Sequence, residues 1–159
     1  AESERDKQWF LGQLSGEYLL FFVSRRPEGA YLLCRSLRID ENGQVFFQGA
    51  YQKSEGQVRI LNGQHFAMEK VNENFGNTTH YYIFHPMRRD MQQHYGYAAG
   101  LSLDNYPKWT GVFMQRSPGV YGQKNFENVR VDSKEFEALC TKYGRAFAAV
   151  MRGDSLMNI

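Results

Sequence analysis

The sequence predicts a mainly β domain: an eight-stranded antiparallel up-and-down barrel with a short N-terminal helix and a C-terminal amphipathic helix. Three observations predict it. Aromatic residues make up 15% of the 159, and such side chains bury large areas and favour pleated strands. Through most of the chain, apolar residues recur with a period of two between Gly, Asn, Asp and Pro punctuation. The connections are also too short to hold the helix of roughly a dozen residues that a parallel crossover needs, so successive strands run antiparallel.

Taken in order, SERDKQWFLGQL forms a helix of about two turns that Gly12 weakens, so 1–13 reads as an N-terminal helix or linker ahead of a single domain over 14–159. The first strand, 16–24, closes at Arg25-Arg26-Pro27-Glu28-Gly29, where Pro27 suits the second position of a turn. The second, 30–40, ends at Asn42-Gly43, the strongest short hairpin signal, and the third spans 43–52. Lys53-Ser54-Glu55-Gly56 reads as a turn, after which 57–62 and 64–73 flank Gly63 as a tight pair. The sixth strand, 78–86, ends at Pro86, which cannot donate to a ladder; the seventh and eighth span 94–104 and 108–117.

Asp132-Ser133-Lys134-Glu135 supplies an N-cap with an acidic partner at the third helical position. From there Phe136, Leu139, Cys140, Tyr143, Phe147, Val150 and Met151 draw one apolar stripe at helical spacing, predicting a helix over 133–151 that Gly144 weakens and Gly153 ends. Such a stripe needs cover. The first strand offers it, because Tyr18, Leu20 and Phe22 alternate with Leu19, Phe21 and Val23, leaving both faces apolar.

Eight meandering strands close as a barrel or split into a sandwich, and the barrel leaves no edge to manage. Alternation assigns Tyr31, Leu33, Leu37 and Ile39 to the inner row of the second strand, with Arg35 falling among them. The corresponding rows are Val45, Phe47, Gly49 and Tyr51 in the third strand and Tyr95, Tyr97, Ala99, Leu101 and Leu103 in the seventh.

Composition narrows the function classes. A hydrophobic share of 42% is enough for one closed core, and a net charge of +2 excludes an acidic tail or a histone-like polycation. Cys34 and Cys140 make neither a disulfide framework nor a metal site, which suits a reducing, cytoplasmic compartment. The longest apolar runs fall far short of the roughly 20 residues of a membrane helix, so no membrane partner is expected. The opening AESERDKQ has no signal-peptide pattern and no initiator Met, as in a piece of a longer protein.

Gly16-Glu17-Tyr18 at the first strand, eight strands in sequence, Arg116 at the end of the last strand and a following helix resemble the calycin superfamily of ligand-binding barrels. Lipocalins in that group have Gly-x-Trp at the first strand and a basic residue on the last strand covering the Trp; here Tyr18 replaces the Trp. The run Gly96 to Leu101, with Tyr106-Pro107-Lys108-Trp109 and Val112 to Arg116, is similar to barrel-type sensor domains attached to bacterial regulators. The resemblance implies a small-molecule ligand, other domains of a longer protein as partners, and no catalytic residue.

Arg35 is the sharpest oddity, since a guanidinium inside a barrel needs an anionic ligand or a carboxylate such as Glu17 or Glu69, unless a β-bulge reverses the parity. His65, His80, His85 and His94 lack ligand spacing and read as surface or hydrogen-bonded histidines rather than a metal site. Tyr81, Tyr82, Tyr95, Tyr97, Tyr106 and Trp109 form the barrel core and rim, or stack on a flat ligand or nucleobases with Arg88, Arg89 and Lys108 nearby. No G-x-S-x-G, G-x-G-x-x-G or P-loop pattern occurs, so neither a cofactor nor a catalytic residue is expected. The expected function is a non-enzymatic small-ligand sensor, with ligand-binding residues Arg35, Tyr51, Tyr82, Tyr97, Trp109 and Arg116. The alternative is nucleic-acid or nucleotide-signal binding through exposed Tyr and Trp with Arg25, Arg26, Arg88 and Arg89; a barrel isomerase or cyclase comes third.

Overall fold

The computed structural model describes residues 4–48, 53–61, 65–72, 77–85, 90–101, 107–123 and 129–153. Helix α1 (Glu4–Leu14) leads into β1 (Gly16–Arg26), β2 (Gly29–Ile39), β3 (Gln44–Gln48), β4 (Lys53–Ile60), β5 (Phe66–Asn72), β6 (Asn77–Phe84), β7 (Gln93–Leu101) and β8 (Pro107–Arg116). A two-residue β9 (Val129–Arg130) and helices α2 (Lys134–Tyr143) and α3 (Arg145–Arg152) follow. Each of β1 to β7 pairs antiparallel with the next strand, and β1 also pairs with β8, which closes the barrel. Strand β9 lies against the Tyr31–Leu32 stretch of β2, outside the part of β2 that meets β3.

Register fixes what faces inward. The β1–β2 ladder runs unbroken from Gly16 opposite Ile39 to Arg26 opposite Gly29, so Tyr18, Leu20 and Phe22 share a face with Leu37, Arg35 and Leu33. Followed round the barrel, that face carries Val45, Phe47, Val58, Phe66, Met68, Tyr82, Phe84, Ala98, Val112 and Met114, which form one buried core with Leu14 of α1. The opposite faces of β1, β2 and β8 carry a second core: Phe21, Val23, Leu32, Cys34 and Phe113 pack against Phe136, Ala146, Phe147, Val150 and Met151. The apolar helical stripe is therefore covered within the chain, on the outward row of β1 as expected.

Three sequence expectations need correction. The inner row of β7 is His94, Gly96, Ala98 and Gly100, opposite Met114, Val112, Thr110 and Lys108, whereas Tyr95, Tyr97 and Ala99 face outward. The inward side chains of β6, Tyr82 and Phe84, sit opposite Ala98 and Gly96, so large residues on one strand require small ones on the next. At Gly96 the β6 backbone itself leaves no room, since a Cβ there would collide with the Ile83 carbonyl oxygen and lie 2.8 Å from the Phe84 Cα. Lys53-Ser54-Glu55-Gly56 is strand, not turn, because it pairs residue for residue with Val45–Gln48. The single helix over 133–151 is two: Ser133 caps α2 by accepting from the Phe136 N–H at 3.1 Å, and Gly144, at φ 100° and ψ −172°, separates α2 from α3. Phe136 of α2 and Phe147 of α3, with ring centroids 6.0 Å apart, both belong to the second core, and Phe147 meets Phe21 of β1.

Phe147 is fully buried and touches the rings of Phe21, Phe113, Phe136 and Tyr143. Phe147→Ala should lower the unfolding free energy by about 3 to 5 kcal/mol. Urea denaturation checks this, and a loss below about 1 kcal/mol would show that the second core contributes little.

Candidate functional site

One end of the barrel is closed by α1. Arg116 holds the closure: its Nη1 donates to the Ser15 carbonyl at 2.7 Å, its Nη2 to the Gln13 carbonyl at 2.7 Å and its Nε to the Met91 carbonyl at 3.2 Å. The guanidinium also lies 4.9 Å from the centroid of the Tyr18 ring, and the Tyr18 hydroxyl donates to the Leu14 carbonyl at 2.5 Å. Burial pushes the Tyr18 phenol up to about 12 in spite of the neighbouring Arg116. At Gly16, with φ 144°, a side chain would collide with the Arg116 guanidinium, so the first residue of β1 is glycine because the latch passes over it. Arg116 is committed to this latch rather than directed into the interior.

Farther along the inner wall the chemistry changes. Arg35 faces inward opposite Leu20, and no bulge interrupts β1–β2 to turn it out. Neither carboxylate weighed as its partner meets it. Glu17 accepts from the Gly119 and Tyr121 N–H groups at 2.7 and 3.0 Å, and Glu69 faces outward, paired with Arg59 at 2.7 Å and accepting from Tyr81. The Arg35 guanidinium instead lies 5.8 Å from the Phe22 ring centroid and donates to the Cys34 carbonyl.

Two further basic residues share the inward face. Lys70 of β5 stands opposite His80 of β6, and the Lys70 Nζ lies 5.5 Å from the centroid of Phe47. Phe47 stacks on Tyr82 at 5.8 Å, and Tyr82 contacts the His80 ring at 6.3 Å. Burial holds the Lys70 ammonium below its ordinary range, and the like charge of Arg35 adds to that. His80 is lowered in the same way, by burial first and by Lys70 second. Burial raises the Tyr82 phenol, which stays a neutral donor. The result is a level of Arg35, Lys70, His80 and Tyr82 above an apolar floor that includes Phe66 and Phe84, stacked at 4.6 Å.

Of the residues expected to bind ligand, Arg35 and Tyr82 meet at this level, while Arg116 sits at the closed end. Tyr97 and Trp109 stack on each other at 4.8 Å on the outside of the barrel. Tyr51 lies outside the described residues, as do Tyr106, Arg88 and Arg89. Lys70 and His80 were missed, although the signal that exposed Arg35 was available for both: Phe66, Met68 and Lys70 share one parity, as do His80, Tyr82 and Phe84.

One histidine differs from expectation. His94 is not at the surface: it is 2% exposed and faces inward between Tyr18 and Phe66, and among the described residues neither ring nitrogen has a hydrogen-bond partner. Burial lowers it to about 4; the Met91 backbone is close enough to favour the charged form without making a well-formed hydrogen bond. His85 stacks with Tyr95 on the outer face. Among the described residues no three His, Cys, Asp or Glu side chains cluster as metal ligands would. No helix among the described residues is long and apolar enough to cross a membrane.

No protein-family model matches the chain, and no curated protein matches it. Among solved structures it is similar to a point mutant of LTBP1 in complex with leukotriene C4, at 13% identity and a TM-score of 0.46, over 89% of this chain and 81% of that one. It is likewise similar to the LTBP1–leukotriene C4 complex, at 13% identity and a TM-score of 0.45, over 81% of this chain and 76% of that one.

The unmet imidazole of His94 gives stability a pH dependence. Its pKa is about 4 folded against 6.5 for an ordinary histidine, so the unfolded chain binds the proton more tightly. Stability is constant from this source above about pH 6.5, falls as pH drops through the window to about 4, and loses about 3 kcal/mol at most. His94→Leu should flatten that slope in urea unfolding series between those pH values. His80 and His85, also lowered, leave a smaller residue of the same sign. An unchanged slope would assign the effect to other groups.

Proposed function

We propose that the barrel is a non-enzymatic module binding a small amphipathic organic anion, and that it serves as the sensing domain of a larger regulatory protein. The ligand's apolar body lies in the barrel and its anionic group at the level of Arg35, Lys70 and His80. The observation that carries this reading is the gathering of Arg35, Lys70 and His80 on the inward face, beside the apolar residues of the barrel core. Burial and a like-charged neighbour hold Lys70 and His80 below their ordinary ranges, and an anion at that level favours the charged form of both. Among the described residues the inward rows carry no carboxylate; Glu55 and Glu69 lie on the outward parity of β4 and β5. A sensing role is supported by β1 and β8, which line the interior with Leu20, Phe22, Val112 and Met114 and carry the helices on their outer faces.

A fluorescent fatty-acid analogue should brighten on binding and be displaced by lauric acid. Arg35→Gln should weaken lauric acid by about tenfold or more, equivalent to about 1.4 kcal/mol. Lauryl alcohol, with the same chain and no charge, should bind at least about tenfold more weakly than the acid. Equal affinities for acid and alcohol, or an unaffected Arg35→Gln, would show that the basic level does not select an anion. Failure of both ligands to bind would reject interior binding.

A further inference from the structure

The β1–β8 ladder ends at Phe22 opposite Val112, and on the outside of the barrel beyond that point a groove of about 430 Å³ opens beside the end of α3. Val23 and Val150 give it an apolar floor, and Arg25, Tyr97, Trp109 and Thr110 complete much of its wall. Trp109 is 71% exposed, an unusual state for the largest apolar side chain, and it is not loose: its ring lies nearly parallel to Tyr97, at 11° and 4.8 Å. One aromatic face is thus backed and oriented while the indole remains largely open to solvent. Arg25 belongs to the outward row of β1, with Phe21 and Val23, and its guanidinium packs near Gly153, the C-cap of α3. Among the described residues Arg25 makes no hydrogen bond or ion pair, so its donors remain available.

We propose that this groove is a second binding site, separate from the barrel interior, for a planar ring that carries an anionic group, a ligand of mononucleotide class. The ring stacks on Trp109 and the anion meets Arg25. Stacking on an exposed aromatic is tolerant of which ring is offered, so the charge supplies much of the selection. The volume is in the usual range for one small molecule and suits a single mononucleotide. The residues that would make the site, Arg25, Tyr97 and Trp109, lie on the outward parity of β1, β7 and β8, whereas Arg35, Lys70 and His80 use the inward parity, so the two sites are tested independently.

The chain has two tryptophans, so Trp9→Phe leaves Trp109 as the sole indole and its fluorescence reports the groove. Titration of that variant with adenosine monophosphate should quench the emission saturably. Adenosine and ribose phosphate, which keep the ring or the anion alone, should each bind about tenfold or more weakly, and Arg25→Gln should weaken the monophosphate to a similar degree. Calorimetry on Trp109→Ala, which removes only an exposed side chain, should show the binding lost while the circular dichroism is unchanged. Arg35→Gln should leave the monophosphate affinity unchanged. Absent or non-saturable quenching would overturn the site. Adenosine binding as tightly as its monophosphate would overturn the role of Arg25, and a loss in Arg35→Gln would place the ligand inside the barrel instead.

Discussion

Closing an eight-stranded sheet requires its first and last strands to pair, and here both edges of β1 are taken, by β2 along its whole length and by β8 from Tyr18 to Phe22. Both faces of the strand are taken as well. Tyr18 and Leu20 lie in the barrel core, and Phe21 and Val23 lie under α2 and α3. A strand enclosed on four sides has no freedom of register, because a slip by one residue would turn Tyr18 and Leu20 out under the helices and Phe21 and Val23 into the barrel. The parity of the barrel, and with it the position of every candidate binding residue, follows from that one strand.

The closed end shows how the constraint is made secure. Arg116 ends β8 opposite Tyr18 and joins three carbonyls, two of them at the C-terminal end of α1 and just beyond it. A cation there also meets the negative end of the helix dipole. The Tyr18 hydroxyl answers from inside the barrel by donating to Leu14. Glu17, the neighbour of opposite parity, ties the segment after β8 to β1 through the Gly119 and Tyr121 amides. One tripeptide at the start of β1, Gly16-Glu17-Tyr18, therefore organises both the helix before the barrel and the loop after it.

Much of this was legible in the sequence. The period-two rows of the second and third strands hold: Leu33, Arg35, Leu37 and Ile39 lie opposite inward residues of β1, and Val45 and Phe47 lie in the inner core. The seventh strand misled because its outward face is as aromatic as a core face, with Tyr95 and Tyr97 packed against the second core. Hydrophobicity alone cannot choose between two apolar faces, and what decides is the volume left by Tyr82 and Phe84 across the ladder, a tertiary quantity. Gly144 was marked as a weak point of the helix, but the apolar stripe continues through it, so the sequence pattern did not separate α2 from α3. Tyr97 and Trp109 were grouped with Tyr81, Tyr82, Tyr95 and Tyr106 as core and rim or as residues to stack on a flat ligand; here the two stack on each other, and the wall of the barrel separates them from Arg35.

On the proposed reading, the basic level links ligand and proton in one equilibrium. Lys70 and His80 are lowered by burial and by a like-charged neighbour, so the empty barrel binds protons there more weakly than the free side chains would. An anion seated beside them reverses the second cause directly and compensates the first, which raises both groups back toward their ordinary values. Binding of the anion is then accompanied by proton uptake at His80, the group closer to neutrality, and by reciprocity protonation of His80 tightens the anion. His94, deeper in the apolar wall and without a hydrogen-bond partner, acts in the opposite sense on the fold, because its protonation favours the unfolded chain. On that reading the two inward histidines respond to acid differently: protonation of both favours the unfolded chain, but only at His80, beside the anion, is it also linked to the ligand.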